Sequence, residues 1–514
     1  MTTARKLLSG SATRVASSVA TAIVTLLIMP FVVHTLGDRL NGIWTLVATF
    51  IGYYGVLDLG LSQAITRYLA RALGSADQEE CNRVFNTSLR IYTVLAGVIV
   101  VLTCVIAALA PLFCKSPADA SLFWKIILIL GINLALQFPL RVYRGVLEAH
   151  LRFDLTAALD LMTLLLRTGL VVAVLMLGYK VVGLAWVTLL AGFPFFILSI
   201  HWTRKELPFL RLDPKYWKRE TARTLFSYSA FSFIAQLAYI IRFRVDNLVV
   251  AGFVGLAAVT HYSIAGRLAQ YFIELLSALL GVLPSVFSRQ EGAQDFEALK
   301  RTFFFGTRLA IAITSFFAFG LLAWGKPFIH RWMGSQYEDA YPVLVFLTVG
   351  LTCFLWQTAS ISLLYGTSRH KFLAVFNSVE ALVNLGLSLL LVKRYGIVGV
   401  AAGTTFPIVV NTLVVIPIYV CRVSKIDYLE YVRKAGRTAA VALASLALPA
   451  LLAARFAAPD YKLLFILGVV SVILYIPPTW MFGFTASEGR TLLRVVWPGG
   501  SLGQRERGNA RVAS

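Results

Sequence analysis

Apolar segments long enough to cross a bilayer follow one another along almost the whole chain. A membrane helix needs about 20 mostly apolar residues, and such segments lie near 15–36, 41–66, 86–112, 121–142, 155–177, 181–202, 224–252, 258–286, 303–325, 341–365, 372–392, 396–420, 437–456 and 461–483. With 58% hydrophobic and 14% charged residues, the chain is too apolar for a soluble globular protein. The sequence therefore predicts an all-α, polytopic membrane protein with about 14 transmembrane helices.

Lysine and arginine are distributed unevenly between the two ends of these helices. Segments on the side of the amino terminus carry 33 of them, the opposite side carries 10, and 4 lie within helices. Because cytoplasmic loops are enriched in positive charge, we predict that both termini are cytoplasmic. The asymmetry also explains most of the net charge of +22, so no nucleic-acid partner is expected. The five cysteines form no CxxC pair, and we predict neither a metal site nor a cofactor.

An internal repeat relates the two halves of the chain. Residues 37–90 align without gaps on residues 255–308, at an offset of 218. The polar part of this alignment contains seven identical pairs that shared hydrophobicity cannot produce: Arg71/Arg289, Gly74/Gly292, Asp77/Asp295, Glu79/Glu297, Arg83/Arg301, Phe85/Phe303 and Arg90/Arg308. Six helices in each half keep the two copies in the same orientation. We therefore predict two six-helix lobes, related by a pseudo-two-fold axis along the membrane normal, plus two extra helices.

The repeat divides the chain into five predicted parts. These are an amino-terminal lobe (1–205), a basic cytoplasmic linker (206–222), a carboxyl-terminal lobe (223–421), helices 13 and 14 (422–483) and a basic, mobile tail (484–514). The longest loop on the non-cytoplasmic side, near 325–341, has about seventeen residues. Such short loops leave no room for a soluble domain.

Charged residues inside apolar helices are the first candidates for function. Arg242, Arg244 and Asp246 share one apolar run, although a charge at the centre of a membrane helix costs roughly 2.5–3.5 kcal/mol. Helical spacing places Arg242 and Asp246 on one face, where they can pair, and Arg244 on nearly the opposite face. Arg242 and Arg267 lie at similar distances on either side of Gly255, roughly 18–20 Å from that turn and therefore near the bilayer middle.

Further charged residues lie in other apolar segments, and they include both arginines and carboxylates. Arg267, Gln270, Tyr271 and Glu274 share one helical face, as do Asp160 and Arg167 in helix 5. We interpret five residues as the cationic lining of a substrate cavity: Arg67, Arg167, Arg242, Arg244 and Arg267. Four carboxylates are candidates for binding coupling ions: Asp58, Asp246, Glu274 and Glu380. The planar fork of arginine suits a diphosphate group. The alternative interpretation is that these charges form structural ion pairs between helices.

Four segments in sequence resemble a known family. They are Leu36–Arg71, which contains DLGL, Asp246–Gln270, Met333–Leu347 and Leu363–Thr405. Together they are similar to the polysaccharide or O-antigen (Wzx-type) flippases of the multidrug/oligosaccharidyl-lipid/polysaccharide exporter superfamily. The resemblance implies two six-helix lobes around a central cavity and a location in the bacterial inner membrane. It also implies movement of an undecaprenyl-diphosphate-linked oligosaccharide from the cytoplasmic to the periplasmic leaflet by alternating access.

The resemblance further implies a transporter rather than an enzyme, with no catalytic residues. Its expected partners are the lipid-linked glycan, membrane lipids and other polysaccharide-assembly proteins. Two alternatives remain open. A multidrug-type small-molecule exporter of the same superfamily would have cationic substrates and favour an acidic cavity, whereas this chain carries arginines in mid-helix. An O-antigen polymerase or ligase would need a larger periplasmic loop than the chain offers.

Overall fold

The computed structural model describes residues 3–58, 60–114, 116–150, 152–226, 245–280, 283–367, 369, 371–456 and 460–484. Within these ranges all regular secondary structure is helical and no strand occurs. The α-helices in chain order are Thr3–Leu36, Asp38–Tyr53, Leu61–Gly74, Gln78–Ala108, Ala110–Phe113, Pro117–Ala149, Phe153–Met176, Val181–Leu190, Phe193–Glu206, Asp246–Phe253, Leu256–Leu280, Leu283–Gly292, Phe296–Met333, Ala340–Trp356, Thr358–Gly366, Lys371–Val410, Ile416–Ser424, Tyr428–Ser445, Ala447–Arg455 and Tyr461–Gly483.

Nine helices of the described ranges are long and apolar enough to cross a membrane. The number becomes ten if Ala340–Trp356 and Thr358–Gly366, which are bent by 43° at their junction, form one broken span. The predicted count of fourteen stays a prediction, because the segment predicted at 224–252 lies largely outside the described residues. The all-α, membrane-spanning character of the fold is confirmed.

Large apolar side chains cover the outer faces of the long helices. Leu27 is 70% exposed, Leu390 is 72% exposed and Phe465 is 73% exposed. Apolar surface of this extent is unfavourable in water, whereas a bilayer accommodates it at no cost. These faces therefore contact lipid.

The chain forms two compact units. The first contains residues 1–264 and 385–400, and the second contains residues 265–384 and 401–514. In the first unit, an aromatic core joins Gln78–Ala108 to Pro117–Ala149 through the edge-to-face pairs Tyr92–Phe138 (5.6 Å) and Phe85–Tyr143 (5.4 Å). In the second unit, Phe303 stacks on Tyr431 with 5.8 Å between ring centroids, beside the buried residues Phe287 and Leu363. The five predicted parts of the chain stay predictions.

Local backbone geometry recurs at the offset of the sequence repeat. Asp77 and Asp295 each cap the helix that follows, accepting a hydrogen bond of 2.9 Å from the backbone N–H three residues on. The residue before each cap, Ala76 or Gln294, has a φ of 54°. Positive φ also recurs at Gly37 with Gly255 and at Gly178 with Gly396. The two halves therefore share turn and capping geometry as well as sequence.

Two features interrupt the helices near the end of the repeat. Gly396, with φ 55° and ψ −135°, breaks Lys371–Val410 into two arms, as expected from the two apolar segments on either side of it. A π-helical turn, Asn411–Val415, follows the second arm. Such turns occur frequently at functional sites.

Candidate transport site

Asp58 lies at the centre of a buried hydrogen-bond network in the first unit. Its side chain sits at the end of the 3₁₀ segment Tyr54–Asp58 and is 7% exposed. Oδ1 of Asp58 accepts hydrogen bonds from Ser62 Oγ at 2.7 Å, from Tyr92 Oη at 2.7 Å and from Arg141 Nη1 at 3.0 Å. The network therefore joins helices that are far apart in sequence through one carboxylate oxygen.

Local structure explains how these groups meet. Gly60 adopts the left-handed conformation with φ 74°, which ends the 3₁₀ segment and starts Leu61–Gly74 with Ser62 one turn beyond Asp58. The guanidinium of Arg141 lies 4.4 Å from the ring centroid of Phe138, one turn earlier on the same helix. This cation–π contact orients Arg141 toward Asp58.

A second ion-pair cluster begins one turn further along the same helix. Arg144 donates from Nη1 and Nη2 to the two carboxylate oxygens of Asp160, at 2.8 and 2.9 Å. Its Nε donates to Glu148 at 3.1 Å. The bidentate geometry fixes Pro117–Ala149 against Phe153–Met176. Asp160 therefore serves as an interhelical anchor, as the alternative interpretation of the buried charges expects.

Asp246 lies in a polar seam of the first unit. It is buried at the start of Asp246–Phe253 and accepts a hydrogen bond of 2.6 Å from Tyr262 Oη. Next to it, Asn247 Nδ2 donates to Thr49 Oγ1 at 3.1 Å. A Cβ atom at Gly42 would lie 1.9 Å from the carbonyl oxygen of Leu256, so glycine is required there. The helices on either side of this seam thus approach closely and are joined by polar side chains.

Glu380 occupies a buried polar site in the second unit. It is 4% exposed, and its Oε2 accepts a hydrogen bond of 2.5 Å from Asn411 Nδ2, at the start of the π-helical turn. One turn after Glu380, the Oδ1 atom of Asn384 accepts a hydrogen bond of 3.1 Å from Thr404 Oγ1. An amide can donate to a carboxylate through its nitrogen and accept from a protonated acid through its oxygen. Asn411 can therefore accommodate Glu380 in either protonation state.

The predicted cavity arginines lie in several places. Arg67 and Arg167 are exposed on Leu61–Gly74 and Phe153–Met176 of the first unit, and Arg267 is exposed on Leu256–Leu280 of the second. Arg242 and Arg244 lie outside the described residues. On the helix of Arg267, the predicted polar face is present, with Gln270 donating to Glu274 at 3.0 Å. The roles of these residues stay predictions.

Sequence reasoning missed four of the residues that build these networks: Tyr92, Arg141, Arg144 and Asn411. The apolar segment predicted at 121–142 ends just after Arg141 and before Arg144, whereas the helix continues to Ala149. The signal was present in the sequence, since Val142, Tyr143, Val146 and Leu147 continue the helical period around the charges and are buried.

Comparisons with known proteins agree with this architecture. Residues 39–342, more than half of the chain, match a family model described as polysaccharide biosynthesis protein. A protein of Shigella flexneri named as an O-antigen transporter is 21% identical over 417 residues, which cover 76% of this chain and 93% of the relative.

Solved structures show the same fold. The lipid II flippase MurJ in its inward closed conformation superimposes with a TM-score of 0.71 at 15% identity, over 93% of this chain and 99% of that one. An inward-facing multidrug resistance transporter of the MATE family gives a TM-score of 0.63 at 18% identity, over 79% of this chain and 99% of that one. The chain shares the fold of these two membrane transporters. By its sequence, the chain belongs to the polysaccharide biosynthesis protein family. The resemblance found in the sequence is thus confirmed.

Proposed function

We propose that the chain is a flippase that moves an undecaprenyl-diphosphate-linked oligosaccharide from the cytoplasmic to the periplasmic leaflet by alternating access. The main support is the fold match to a lipid II flippase over nearly the full length of both chains. Membership of the polysaccharide biosynthesis family and the relative named as an O-antigen transporter point to a glycan cargo. In this proposal the protein acts as a transporter and catalyses no covalent chemistry.

The proposal includes a location and a topology. The excess of Lys and Arg on the side of the amino terminus supports a bacterial inner membrane protein with both termini in the cytoplasm. The lipid-linked glycan is the substrate, and other polysaccharide-assembly proteins supply or receive it.

We assign the diphosphate to the predicted arginines and the coupling ion to an acid. Arg67, Arg167 and Arg267 are exposed, so they are accessible to a ligand; Arg242 and Arg244 complete the proposed set. Among the four acids, Asp58 already accepts three hydrogen bonds at one oxygen, which suits an anchor better than a carrier. Asp246 and Glu274 each accept a hydrogen bond from a neutral side chain. Glu380 is the strongest candidate for carrying a proton, because it is buried beside an amide that accommodates both protonation states.

One observation favours a second candidate function. The MATE-family structure, a multidrug resistance transporter, covers 79% of this chain with a TM-score of 0.63. A small-molecule exporter would therefore fit the same fold. Depletion of the protein followed by lipid analysis separates the two functions: a flippase predicts that complete lipid-linked repeat units accumulate on the cytoplasmic side. A small-molecule exporter predicts no such accumulation, and a polymerase predicts single units on the outer side.

The proposed arginines give a direct test in the same depletion strain. We expect Arg167→Ala and Arg267→Ala to abolish glycan export at normal protein level, whereas Lys substitutions retain part of it because the charge remains without the fork. Arg394→Ala, an exposed arginine outside the proposed set, is the matched control and should complement fully. Full complementation by both Ala variants would show that the cationic cavity is wrongly assigned.

A further inference from the structure

A cavity of about 480 Å³ lies in the second unit, and none of the described residues that line it is among those proposed to bind the transported glycan. Three helices line it: the amino-terminal third of Phe296–Met333, the first half of Tyr428–Ser445 and the end of Tyr461–Gly483. Under the proposed topology, these helix ends lie at the cytoplasmic surface of the membrane. We refer to this space as the helix-end cavity.

The lining of the helix-end cavity has an excess of positive charge. Arg308 is only 8% exposed yet lines it, and Arg433 and Arg437 line it from one face of Tyr428–Ser445, four residues apart. Among the described residues, neither Arg433 nor Arg437 forms an ion pair. Three guanidinium groups thus border one space.

The two carboxylates of the lining are already engaged by other groups. Glu430 binds Lys300 at 2.8 Å and Lys434 at 2.6 Å. Asp427 caps its helix, accepting a hydrogen bond of 2.9 Å from the backbone N–H of Glu430. The guanidinium groups of Arg433 and Arg437 therefore remain available for an anion from outside the protein.

The edge of the cavity is apolar and aromatic. Leu429 and Phe482 line it and are largely exposed. Phe484 also lines it and packs against Trp480, with 6.4 Å between ring centroids. Tryptophan side chains such as Trp480 concentrate where a membrane protein meets the lipid headgroups. The cavity thus places positive charge directly beside a surface suited to acyl chains.

We propose that the helix-end cavity binds an anionic phospholipid. Its phosphate lies among Arg308, Arg433 and Arg437, and its acyl chains run along Phe482 into the bilayer. The planar fork of arginine donates two hydrogen bonds to a phosphate group, and basic pockets between membrane helices on the cytoplasmic side suit anionic headgroups. The ligand is a membrane component that stays in the leaflet, so this site goes beyond the proposed transport of a glycan.

Native mass spectrometry of the purified full-length protein tests the proposal. Detergent-solubilised protein is titrated with dioleoyl phosphatidylglycerol, with the zwitterionic dioleoyl phosphatidylcholine, and with glycerol phosphate, which has the anion but no acyl chains. We expect phosphatidylglycerol to bind tightly, and we expect neither phosphatidylcholine nor glycerol phosphate to do so. The double substitution Arg433→Gln/Arg437→Gln should weaken phosphatidylglycerol binding about 25-fold, because each basic residue near the membrane surface contributes about fivefold. Both arginines are exposed, so the variant should fold.

A matched control separates this site from general surface charge. Arg219→Gln/Arg223→Gln also removes two exposed arginines four residues apart, but in the first unit, and it should leave phosphatidylglycerol binding unchanged. Arg308→Lys keeps the buried charge, removes the fork, and should weaken binding. Equal losses in the two double variants, or no loss in Arg433→Gln/Arg437→Gln, would overturn the proposal. Glycerol phosphate binding as tightly as the lipid would assign the cavity to a soluble anion instead.

Discussion

The sequence repeat relates two helices, Gln78–Ala108 and Phe296–Met333. Each of them contacts the chain segment that follows its half of the molecule, but the two segments differ in backbone structure. In the first unit the segment runs from Phe209 to Lys218. Its non-helical part, 210–213, is the extended segment, and the 3₁₀ turn Pro214–Tyr216 follows it. In the second unit it is the helix Tyr428–Ser445. The same helical face therefore serves as a docking surface in both units, for two different kinds of backbone.

Asparagine side chains hold the extended segment in the first unit. Asn82 Nδ2 donates to the carbonyl of Phe209 at 3.2 Å, and its Oδ1 accepts from the N–H of Arg211 at 2.8 Å. Asn86 makes the same pair of bonds with the carbonyl of Arg211 (2.8 Å) and the N–H of Asp213 (3.0 Å). Four helical residues rise about 6 Å and two extended residues about 6.6 Å, so the two periods match. We call this arrangement the asparagine clamp.

At the equivalent positions, the second unit has Lys300 and Phe304. Lys300 Nζ pairs with Glu430 at 2.8 Å, while Lys434 Nζ lies 4.0 Å from the ring centroid of Phe304. An extended backbone must find partners for its own N–H and C=O groups, whereas a helix satisfies them internally. Amides at positions 82 and 86 therefore suit an extended segment, and charged or aromatic side chains suit a helix. Two positions in the repeated face account for much of the difference.

Removal of the asparagine clamp should lower the stability of docking more than the substitutions of Glu430 and Asp213 described below. In Asn82→Ala/Asn86→Ala, the four hydrogen bonds to the extended segment, of about 1 kcal/mol each, are lost, while alanine maintains the helix. We expect the backbone amides of Arg211 and Asp213 to exchange with deuterium about 900-fold faster, as local opening becomes easier. Hydrogen–deuterium exchange read by mass spectrometry measures this.

Thr93→Ala, an exposed change on the same helix, is the control and should leave the exchange of these amides unchanged. Unchanged protection in the double variant would mean that the extended segment is held by other contacts, such as Arg90 over Trp217 at 4.9 Å. The proposed difference between the two units, amide hydrogen bonds in the first and ion pairs in the second, would then be wrong.

Removing the ion pairs of the second unit should have a smaller effect. Glu430→Gln loses the contacts with Lys300 and Lys434, but these side chains are 29–40% exposed and screened by solvent. We expect a loss of about 1 kcal/mol in stability. The loss should shrink at high salt, because screening already weakens the pairs of the unmodified protein.

Thermal melting of the purified protein at low and high salt measures this difference. The control is Glu297→Gln, on the helix Phe296–Met333 that carries Lys300. It removes an exposed carboxylate that makes no ion pair within the described ranges, and this variant should melt like the unmodified protein. A loss in Glu430→Gln that is independent of salt would indicate that packing, such as the stacking of Phe303 on Tyr431, holds this helix rather than charge.

Much of the fold followed from hydropathy, because each element is defined by its own apolar run. The segment predicted at 461–483 has the bounds of the observed Tyr461–Gly483, and that predicted at 155–177 lies within two residues of Phe153–Met176. Hydropathy does not predict where a helix ends when its last turns contain charged residues. The helix around Arg141 continues past the end of its apolar segment, because buried apolar residues alternate there with charges that pair inside the protein.

The partners of the buried charges could not be predicted in the same way. Asp58 pairs with Arg141, 83 residues away, and Arg144 rather than Arg167 is bidentate with Asp160. Helical spacing states which residues share a face, but packing decides which helix that face meets. The asparagine clamp was missed for the same reason, since Asn82 and Asn86 have no distinctive signal until the extended segment lies against them.

The smallest expected effect concerns the pH dependence of the clamped segment. The backbone N–H of Lys215, 3.0 Å from the Asp213 carboxylate, and then its ammonium group lower the pKa of Asp213. Because the docked value lies below the free value of about 3.9, this carboxylate favours docking above about pH 4. That contribution is lost as the pH falls through the docked value. The Lys215 amide, corrected for its intrinsic exchange rate, should therefore open more readily at pH 3 than at pH 6.

Two substitutions sharpen this expectation. Asp213→Asn should remove the pH dependence, because an amide does not titrate in this range. Lys215→Met should retain most of it, because the backbone N–H, the larger cause of the lowered pKa, remains. If Asp213→Asn kept the full pH dependence, the titrating group would lie elsewhere. The asparagine clamp would then be insensitive to acid, since its four hydrogen bonds join amides to backbone groups that carry no charge.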